Sequence, residues 1–545
     1  MPAAASRSNA TVVLAALAAG QFVMALDSSV MNVSIPVVAA DVGTDVTGIQ
    51  TAITMYTLVM AAFMITGGKV GAIIGRKRAF TIGCVVYACG SLTTALSQTL
   101  PMLMFGWSLL EGLGAVLILP AIVALVASNF AREERPRAYG LLSAAMAIAV
   151  AAGPLIGGIC TTYFSWRWVF IGEVIVIAGI LAFSTRIADT PPEEGVTIDR
   201  VGAALSALGL GLIVFGLLRS GTWGFIEPKP TAPVWLGVSP AFWLMLGGAL
   251  LLWLFIGWER RMVDRGREPL VDPALLQVVH LRVGLMAFFF QFLLLLGLFF
   301  LMSLFLTVAL GLSAIATGVR LMPMSIMLLL AAVGIPKLLP NASPRRVSRV
   351  GFISIAVGLV VLVALLDVGS GAEIVTWPLM LAGFGAGALA SQLGAVTVGS
   401  VSDERSGEVG GLQNTATNLG SSIATALMGA VLISALTTTF VSGLADNPDV
   451  PASVTENAEV QFAAGVPFVS DKDLSAALEE ANVPPATADA IVEENTEARV
   501  RALQVAFGLL ALFAIAALPV AGRLPLTQAS SKQTEPAGAP PPLSA

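Results

Sequence analysis

Two acidic residues lie inside long apolar stretches of this sequence, where an ionised group is costly. Asp27 lies well within the apolar run 11–35, and Glu111 lies near the middle of the run 101–128. A carboxyl group at membrane depth favours its protonated form unless it faces water or a positive partner. We predict that both residues bind and release protons, and the alternative is a permanent hydrogen bond to a neighbouring helix.

The residues on the same helical faces are apolar and adaptable. Met24 and Met31 share the face of Asp27, and Trp107 shares the face of Glu111. Thioether and indole groups suit a hydrophobic or cationic organic ligand. We therefore predict that these three side chains line a substrate cavity.

The second half of the chain supplies further polar side chains within apolar stretches. Arg320 could provide a counter-charge in the cavity, or it could extend outward to the lipid headgroups. Side-chain amides could contact a ligand, although amides in membrane helices also join helices by hydrogen bonds. We predict cavity positions for four amides, Gln291, Gln392, Asn414 and Asn418.

The composition excludes several other classes of protein. Of the 545 residues, 56% are hydrophobic and 12% are charged, which leaves too little polar surface for a soluble globule. No basic stretch is long enough to indicate nucleic-acid binding. His280 is the single histidine, and the three cysteines lie in apolar segments, so neither a zinc centre nor a Ser-His-Asp triad can be built. We predict neither an enzyme nor a bound metal or cofactor.

Apolar stretches recur along the whole chain, and each is long enough to cross a bilayer. We count about fourteen stretches of roughly 20 residues. Lys and Arg cluster after every second stretch, and such residues are retained in cytoplasmic loops. We predict a multi-pass protein of the bacterial inner membrane with both termini in the cytoplasm. The basic clusters lie at 69–78, 132–137, 260–267 and 345–349.

Four motifs follow one another along the first third of the chain. The segment 26–36 contains Asp27, and the segment 166–170 reads Trp-Arg-Trp-Val-Phe. Between them lie a loop motif and a motif associated with antiporters. In this order the motifs resemble those of the fourteen-helix drug:proton antiporters of the major facilitator superfamily. The loop motif comprises Gly68, Gly71, Ala72, Gly75, Arg76, Lys77 and Arg78, and the antiporter motif comprises Gly153, Pro154, Gly157 and Gly158.

The resemblance implies an all-α membrane protein with the major facilitator fold, built from two six-helix halves with two inserted central helices. We expect a helical cytoplasmic connector on the membrane surface, and two helical segments, 474–481 and 486–498, in an acidic extracytoplasmic loop. The expected units are 1–190 for the N-terminal half, 191–260 for the inserted helices, 261–282 for the connector, 283–522 for the C-terminal half including the loop 437–498, and 523–545 for a disordered tail.

The sequence departs from the family pattern at two positions. Ala72 stands where the loop motif usually has an acid, and Ser108 stands where the fourth helix usually has an arginine. The first change puts a latch on the cytoplasmic side in doubt. The second removes the usual basic partner of Asp27, which again favours a protonated carboxyl group.

The resemblance implies a proton-coupled exporter of hydrophobic or cationic small molecules such as drugs. Two alternatives stay open: an exporter of an endogenous lipid or secondary metabolite, and a membrane sensor or inactive homologue that transports nothing. The expected partners are a small hydrophobic substrate, protons and the lipid bilayer, without nucleic acid, and we expect a monomer.

Overall fold

We obtained a computed structural model of the chain. The structure describes residues 7–130, 134–188, 197–229, 232–401, 406–451, 466–481 and 483–526. Within these ranges the chain is helical, and the one β-type pairing is an isolated bridge between Trp235 and Val238. The predicted all-α fold class is therefore confirmed.

Six long helices form the N-terminal half. Short polar turns separate them; Asp45, for example, caps the second helix by accepting a 2.7 Å hydrogen bond from the Gly48 amide. The helices are α1 (Arg7–Asp41), α2 (Val46–Ile74), α3 (Arg76–Ala95), α4 (100–129, with a π-helical segment Met104–Glu111), α5 (Arg135–Tyr163) and α6 (Arg167–Phe183).

Two helices follow before the C-terminal half. The inserted pair is α7 (Arg200–Trp223) and α8 (Pro240–Asp264). The C-terminal half contains α9 (Val279–Leu304), α10 (Ala314–Leu338), α11 (Pro344–Leu365), α12 (Thr376–Val398), α13 (Ser406–Asp446), the short α14 (Asp471–Glu480) and α15 (Pro485–Ala516).

Twelve of the described helices are long and apolar enough to cross a membrane. Helix α5 makes a thirteenth if its segments Ala144–Val150 and Ala152–Tyr163 form one bent span. Helix α3 is 20 residues long but is not among the twelve, and its basic first turn lowers its mean hydropathy. The number of fourteen spans therefore stays a prediction.

The most extensive contacts between the two halves are made by two pairs of helices. Helix α5 packs along α10, and α2 packs along α13. The inserted helix α7 contacts both α2 and α13, so it covers one seam between the halves. We call the end of the bundle that carries Arg76 and Arg345 the basic end, and the end that carries Asp41 and Asp471 the acidic end.

The connector between the halves differs from the prediction. Helix α8 continues to Asp264, and the rest of the connector contains only a 3-10 turn, Leu275–Gln277. The prediction of a surface helix in the connector is therefore wrong. Pro269 and Pro273 interrupt helical hydrogen bonding, and Val271 is buried, which anchors an irregular chain against the bundle.

The two helical segments predicted in the acidic loop are confirmed as α14 and the start of α15. The buried Arg499 joins them, since its guanidinium donates to the Val469 carbonyl oxygen at 2.8 Å and pairs with Asp471. Residues 452–465 and the predicted disordered tail from Thr527 lie outside the described residues.

Candidate functional site

Three carboxyl groups meet inside the N-terminal half. Asp27 comes from α1, Glu111 from α4 and Glu173 from α6, and one oxygen of each lies within 4.8 Å of the others. Their exposed fractions are 1%, 0% and 2%. We call these three residues the carboxyl cluster. Asp27 and Glu111 were predicted from the sequence, and the structure brings them together.

Aromatic residues hold Asp27. The Trp107 indole N–H donates to both Asp27 carboxyl oxygens, at 2.9 and 3.0 Å. Tyr56 stacks on Trp107 with ring centroids 5.2 Å apart and an angle of 15° between the planes. Trp107 is therefore a hydrogen-bond donor to the cluster. Its contact with a substrate in a cavity stays a prediction.

Hydroxyl groups of α3 hold the two glutamates. Ser91 and Tyr87 donate to Glu173 Oε2 at 2.9 and 3.2 Å. Thr94 donates to Glu111 Oε1 at 2.9 Å. The other oxygen of each glutamate, Glu111 Oε2 and Glu173 Oε1, has no hydrogen-bond partner. Each glutamate thus keeps one oxygen free for a proton.

A close approach of α3 to α4 puts Glu111 in this position. A Cβ atom added to Gly90 would lie 2.6 Å from Glu111 Cγ, and one added to Gly106 would lie 2.7 Å from the Thr94 amide nitrogen. Glycine is therefore required at both positions. Trp107 and Glu111 both lie in the π-helical segment of α4, which ends at Glu111. Such segments are frequent at functional sites.

No buried positive charge offsets the cluster in the part of the chain that the structure describes. There, the one buried Lys or Arg side chain is Arg499, which pairs with Asp471 of the acidic loop. Ser108, which stands where the family has an arginine, donates to the Ala52 carbonyl oxygen at 2.8 Å.

Two ionised carboxylates within 4.8 Å repel by roughly 3 kcal/mol or more at an effective dielectric constant of about 20. Most of the cluster is therefore protonated, or its oxygens share a cation. One oxygen from each of three acids falls short of the roughly six or more oxygen ligands that Mg²⁺ and Ca²⁺ take, so the cluster is not assigned as a metal site. The sequence prediction of no metal site considered only histidine and cysteine.

The antiporter motif contacts two different helices. Gly153 and Gly157 face α1, where an added Cβ at Gly157 would lie 2.9 Å from a Val30 side-chain carbon. Pro154 and Gly158 face α10 in the other half, and an added Cβ at Gly158 would lie 2.6 Å from the Ala314 carbonyl oxygen. The motif therefore lets α5 pack backbone to backbone within its own half and across the two halves.

Polar side chains also join the halves. Gln50 of α2 donates to the Thr425 carbonyl oxygen at 2.8 Å, and the Thr54 and Thr425 hydroxyl groups lie 2.9 Å apart. Ser303 of α9 donates to the Asn32 carbonyl oxygen of α1. These contacts hold α2 to α13 and α1 to α9.

The predicted cavity residues do not all lie near the cluster. Met24 and Met31 are buried in the N-terminal half. Arg320 is exposed and lines a surface cavity of about 380 Å³ with Val319 and Thr376. The structure therefore does not bring Arg320 to the carboxyl groups.

The four side-chain amides donate hydrogen bonds to groups within their own half of the protein. Gln291 donates to the Ala386 carbonyl oxygen at 3.1 Å, and Gln392 donates to the Ser391 hydroxyl at 3.2 Å. Asn414 and Asn418 donate to carbonyl oxygens one turn earlier on α13, at 3.0 and 2.8 Å. Their contact with a substrate stays a prediction.

The loop motif forms the turn between α2 and α3. Gly75 has a φ of +99°, which favours glycine. Arg76 donates to the Gly68 carbonyl oxygen at 2.8 Å, and Lys69 lies 3.5 Å from Glu268 of the connector. Ala72 is buried, so no charge is present at the position of the family acid.

We expect Ala72→Asp to favour closure of the basic end. Position 72 lies in the last turn of α2, and a carboxylate there would stand near Arg76, whose guanidinium folds back onto the Gly68 carbonyl oxygen. An ion pair of this kind contributes up to about 1 kcal/mol. Spin-label distances across the basic end should shorten, whereas Ala72→Asn, which adds no charge, should leave them unchanged. Equal distances in Ala72→Asp and the unmodified protein would show that closure does not depend on this position.

Glu173 is the residue that the sequence analysis missed. It lies within an apolar stretch, 168–187, as Glu111 does in its own stretch. The same rule about intramembrane acids would have found it.

Arg167 of the fourth motif pairs with Asp41 and donates to the Ser97 carbonyl oxygen, which ties α6 to α1 and α3 at the acidic end.

Comparison with known proteins places this chain in a family. Residues 17–425 match the family model described as Major Facilitator Superfamily. The chain belongs to this superfamily. Membership agrees with the sequence prediction of a membrane transporter that is not an enzyme, and with the order of the four motifs.

Several members of the superfamily are similar along most of their length. The Tetracenomycin C resistance and export protein of Streptomyces glaucescens is 27% identical, over 84% of this chain and 84% of that protein. The Multidrug efflux pump LfrA of Mycolicibacterium smegmatis is 26% identical, over 94% and 96%. The crystal structure of the POT family transporter PepTSo shares the fold, with a TM-score of 0.56, 13% identity, and coverage of 94% of this chain and 99% of that one.

Proposed function

We propose that the chain is a proton-coupled exporter of hydrophobic or cationic small molecules, drugs among them. The observation that carries the proposal is a set of buried carboxyl groups that lie within 4.8 Å of one another without a buried cation among the described residues nearby. Such groups bind protons in a dry state and release them when water enters. Similarity to proteins named for multidrug efflux and antibiotic export supports the substrate class.

The two halves would alternate between closure at the acidic end and closure at the basic end. The backbone contact between α5 and α10 supports this mechanism, because Gly158 lets the two helices separate and close without a side chain between them. A proton taken up by Asp27 or Glu111 neutralises the cluster, and its release on the opposite side accompanies extrusion of the substrate. Met24 and Met31 would contact the substrate beside the cluster, and we propose that one chain acts alone.

We propose that the basic end faces the cytoplasm of a bacterial cell and that both termini lie on that side of the inner membrane. In a background without Cys84, Cys89 and Cys160, a cysteine at exposed position Lys472 should react with an impermeant reagent added outside. A cysteine at exposed position Arg265 should react only after the membrane is opened. The reverse pattern would overturn both the orientation and the direction of transport.

Accumulation of the fluorescent lipophilic cation ethidium in intact cells tests the function. Cells that express the protein should accumulate less ethidium than control cells, and a proton uncoupler should remove the difference. Uncoupler-sensitive efflux of labelled lipid without ethidium efflux would favour an endogenous substrate. Ethidium binding by the purified protein without any efflux would favour a sensor.

A further inference from the structure

Glu173 is a buried acid that the proposed mechanism does not yet use. Its side chain is 2% exposed, and it shares the carboxyl cluster with Asp27 and Glu111. Ser91 and Tyr87 both donate to its Oε2 atom. Its Oε1 atom has no hydrogen-bond partner. One oxygen is thus held in place by donors, while the other is free to carry a proton.

A polar side chain that is not an acid is also directed into the cluster. Tyr56 is 1% exposed and stacks on Trp107. Its hydroxyl lies close to Asp27 but makes no hydrogen bond of normal geometry in this structure. A buried hydroxyl without a partner is costly, so Tyr56 is placed to donate once Asp27 becomes ionised. The surroundings of the cluster therefore suit a change of protonation state.

The titratable groups that face Glu173 come from four helices, and Tyr56 on α2 is one of them. The others are Asp27 on α1, Tyr87 on α3 and Glu111 on α4, and none of the four can carry a positive charge. Because no cation compensates a second ionised group, at most one of the three carboxyl groups is ionised while the site is dry. At least two protons are then bound among three carboxyl groups, and Glu173, whose Oε1 atom has no hydrogen-bond partner, offers one of the places for them.

We propose that Glu173 is an additional proton-binding residue and that the carboxyl cluster moves two protons in each transport cycle. The inference rests on the proposed proton-coupled export. A proton from the acidic end forms an O–H bond at Glu173 Oε1, and its later release to water at the basic end restores the carboxylate. Glu173 lies six residues from Arg167, or about 9 Å along α6 from its acidic end.

The ratio of proton flux to ethidium flux in proteoliposomes tests this inference. The ratio is obtained from the proton gradient that just halts net ethidium movement at known membrane potentials. We expect a ratio near two for the unmodified protein and near one for Glu173→Gln, which keeps an acceptor for Ser91 and Tyr87. Glu173→Asp, which restores a carboxyl group, should return the ratio towards two. The exposed Glu373→Gln is the matched control and should leave the ratio at two.

The outcomes separate this inference from the proposed function. Equal ratios in the unmodified protein and Glu173→Gln would overturn the role of Glu173 and leave proton coupling intact. No proton movement with ethidium in the unmodified protein would overturn the proposed function itself. If Glu173→Gln does not reach the membrane, Ser91→Ala keeps every carboxyl group but removes one donor to ionised Glu173. Its pH of half-maximal efflux should then move upward by about half a unit or more, and an unchanged pH profile would contradict the proposal.

Discussion

Asp27→Asn should abolish proton-driven efflux while ligand binding largely persists. Asparagine keeps the shape of the side chain and can still accept a hydrogen bond from Trp107, which donates to Asp27 in the present structure. It cannot titrate, so the cluster loses a proton that it would otherwise exchange. Uncoupler-sensitive ethidium efflux should therefore fall to the level of cells without the protein, whereas ethidium binding to the purified protein should change little.

A second variant of the cluster and a surface control are compared with Asp27→Asn. Glu111→Gln should give a similar but smaller defect, because in the proposed mechanism Glu111 shares the role of Asp27, which still titrates in this variant. Asp45→Asn removes an acid from the surface turn before α2 and should leave efflux unchanged. Full uncoupler-sensitive efflux in Asp27→Asn would make this residue structural and move the proton site to the two glutamates.

Gly318→Ala should lower the transport rate by about fivefold or more, since overpacking of this kind costs roughly 1–3 kcal/mol. An added Cβ at Gly318 would collide with the Pro154 carbonyl oxygen of α5. The oxygen belongs to the backbone, and the position of the Cβ atom is fixed by the backbone of residue 318, so one helix must move away. The acidic ends of α5 and α10 should then stay apart, and spin-label distances between them should lengthen.

Gly334→Ala is the matched control for this prediction. Gly334 lies on the same helix, α10, and an added Cβ there meets nothing within 4 Å. Its transport rate and distances should equal those of the unmodified protein. Normal transport by Gly318→Ala would mean that close contact between α5 and α10 is not needed in the cycle.

Much of the fold was accessible from the sequence because a bilayer imposes simple rules. A membrane span needs an uninterrupted apolar run, and turns such as the one at Gly75 interrupt it visibly. The connector was harder to predict. Its apolar residues suggested a surface helix, yet Pro269 and the burial of Val271 against the bundle favour an irregular path.

The site was only partly accessible from the sequence. Asp27 and Glu111 could be found one at a time, because a single acid in an apolar run is already informative. Their mutual contact could not, since it depends on the approach of α3 to α4 at Gly90 and on the position of α6. The position of Arg320 depends in the same way on how α10 is rotated, and here it is exposed.

Substrate-dependent proton movement is the most direct test of proton-coupled export. The purified protein would be placed in liposomes that contain a pH-sensitive dye, and an ethidium gradient would be imposed without any starting pH difference. Proton-coupled antiport predicts that ethidium leaving one side drives protons in the opposite direction, with no such change in protein-free liposomes or with Asp27→Asn. Ethidium movement through the unmodified protein at constant internal pH would contradict it.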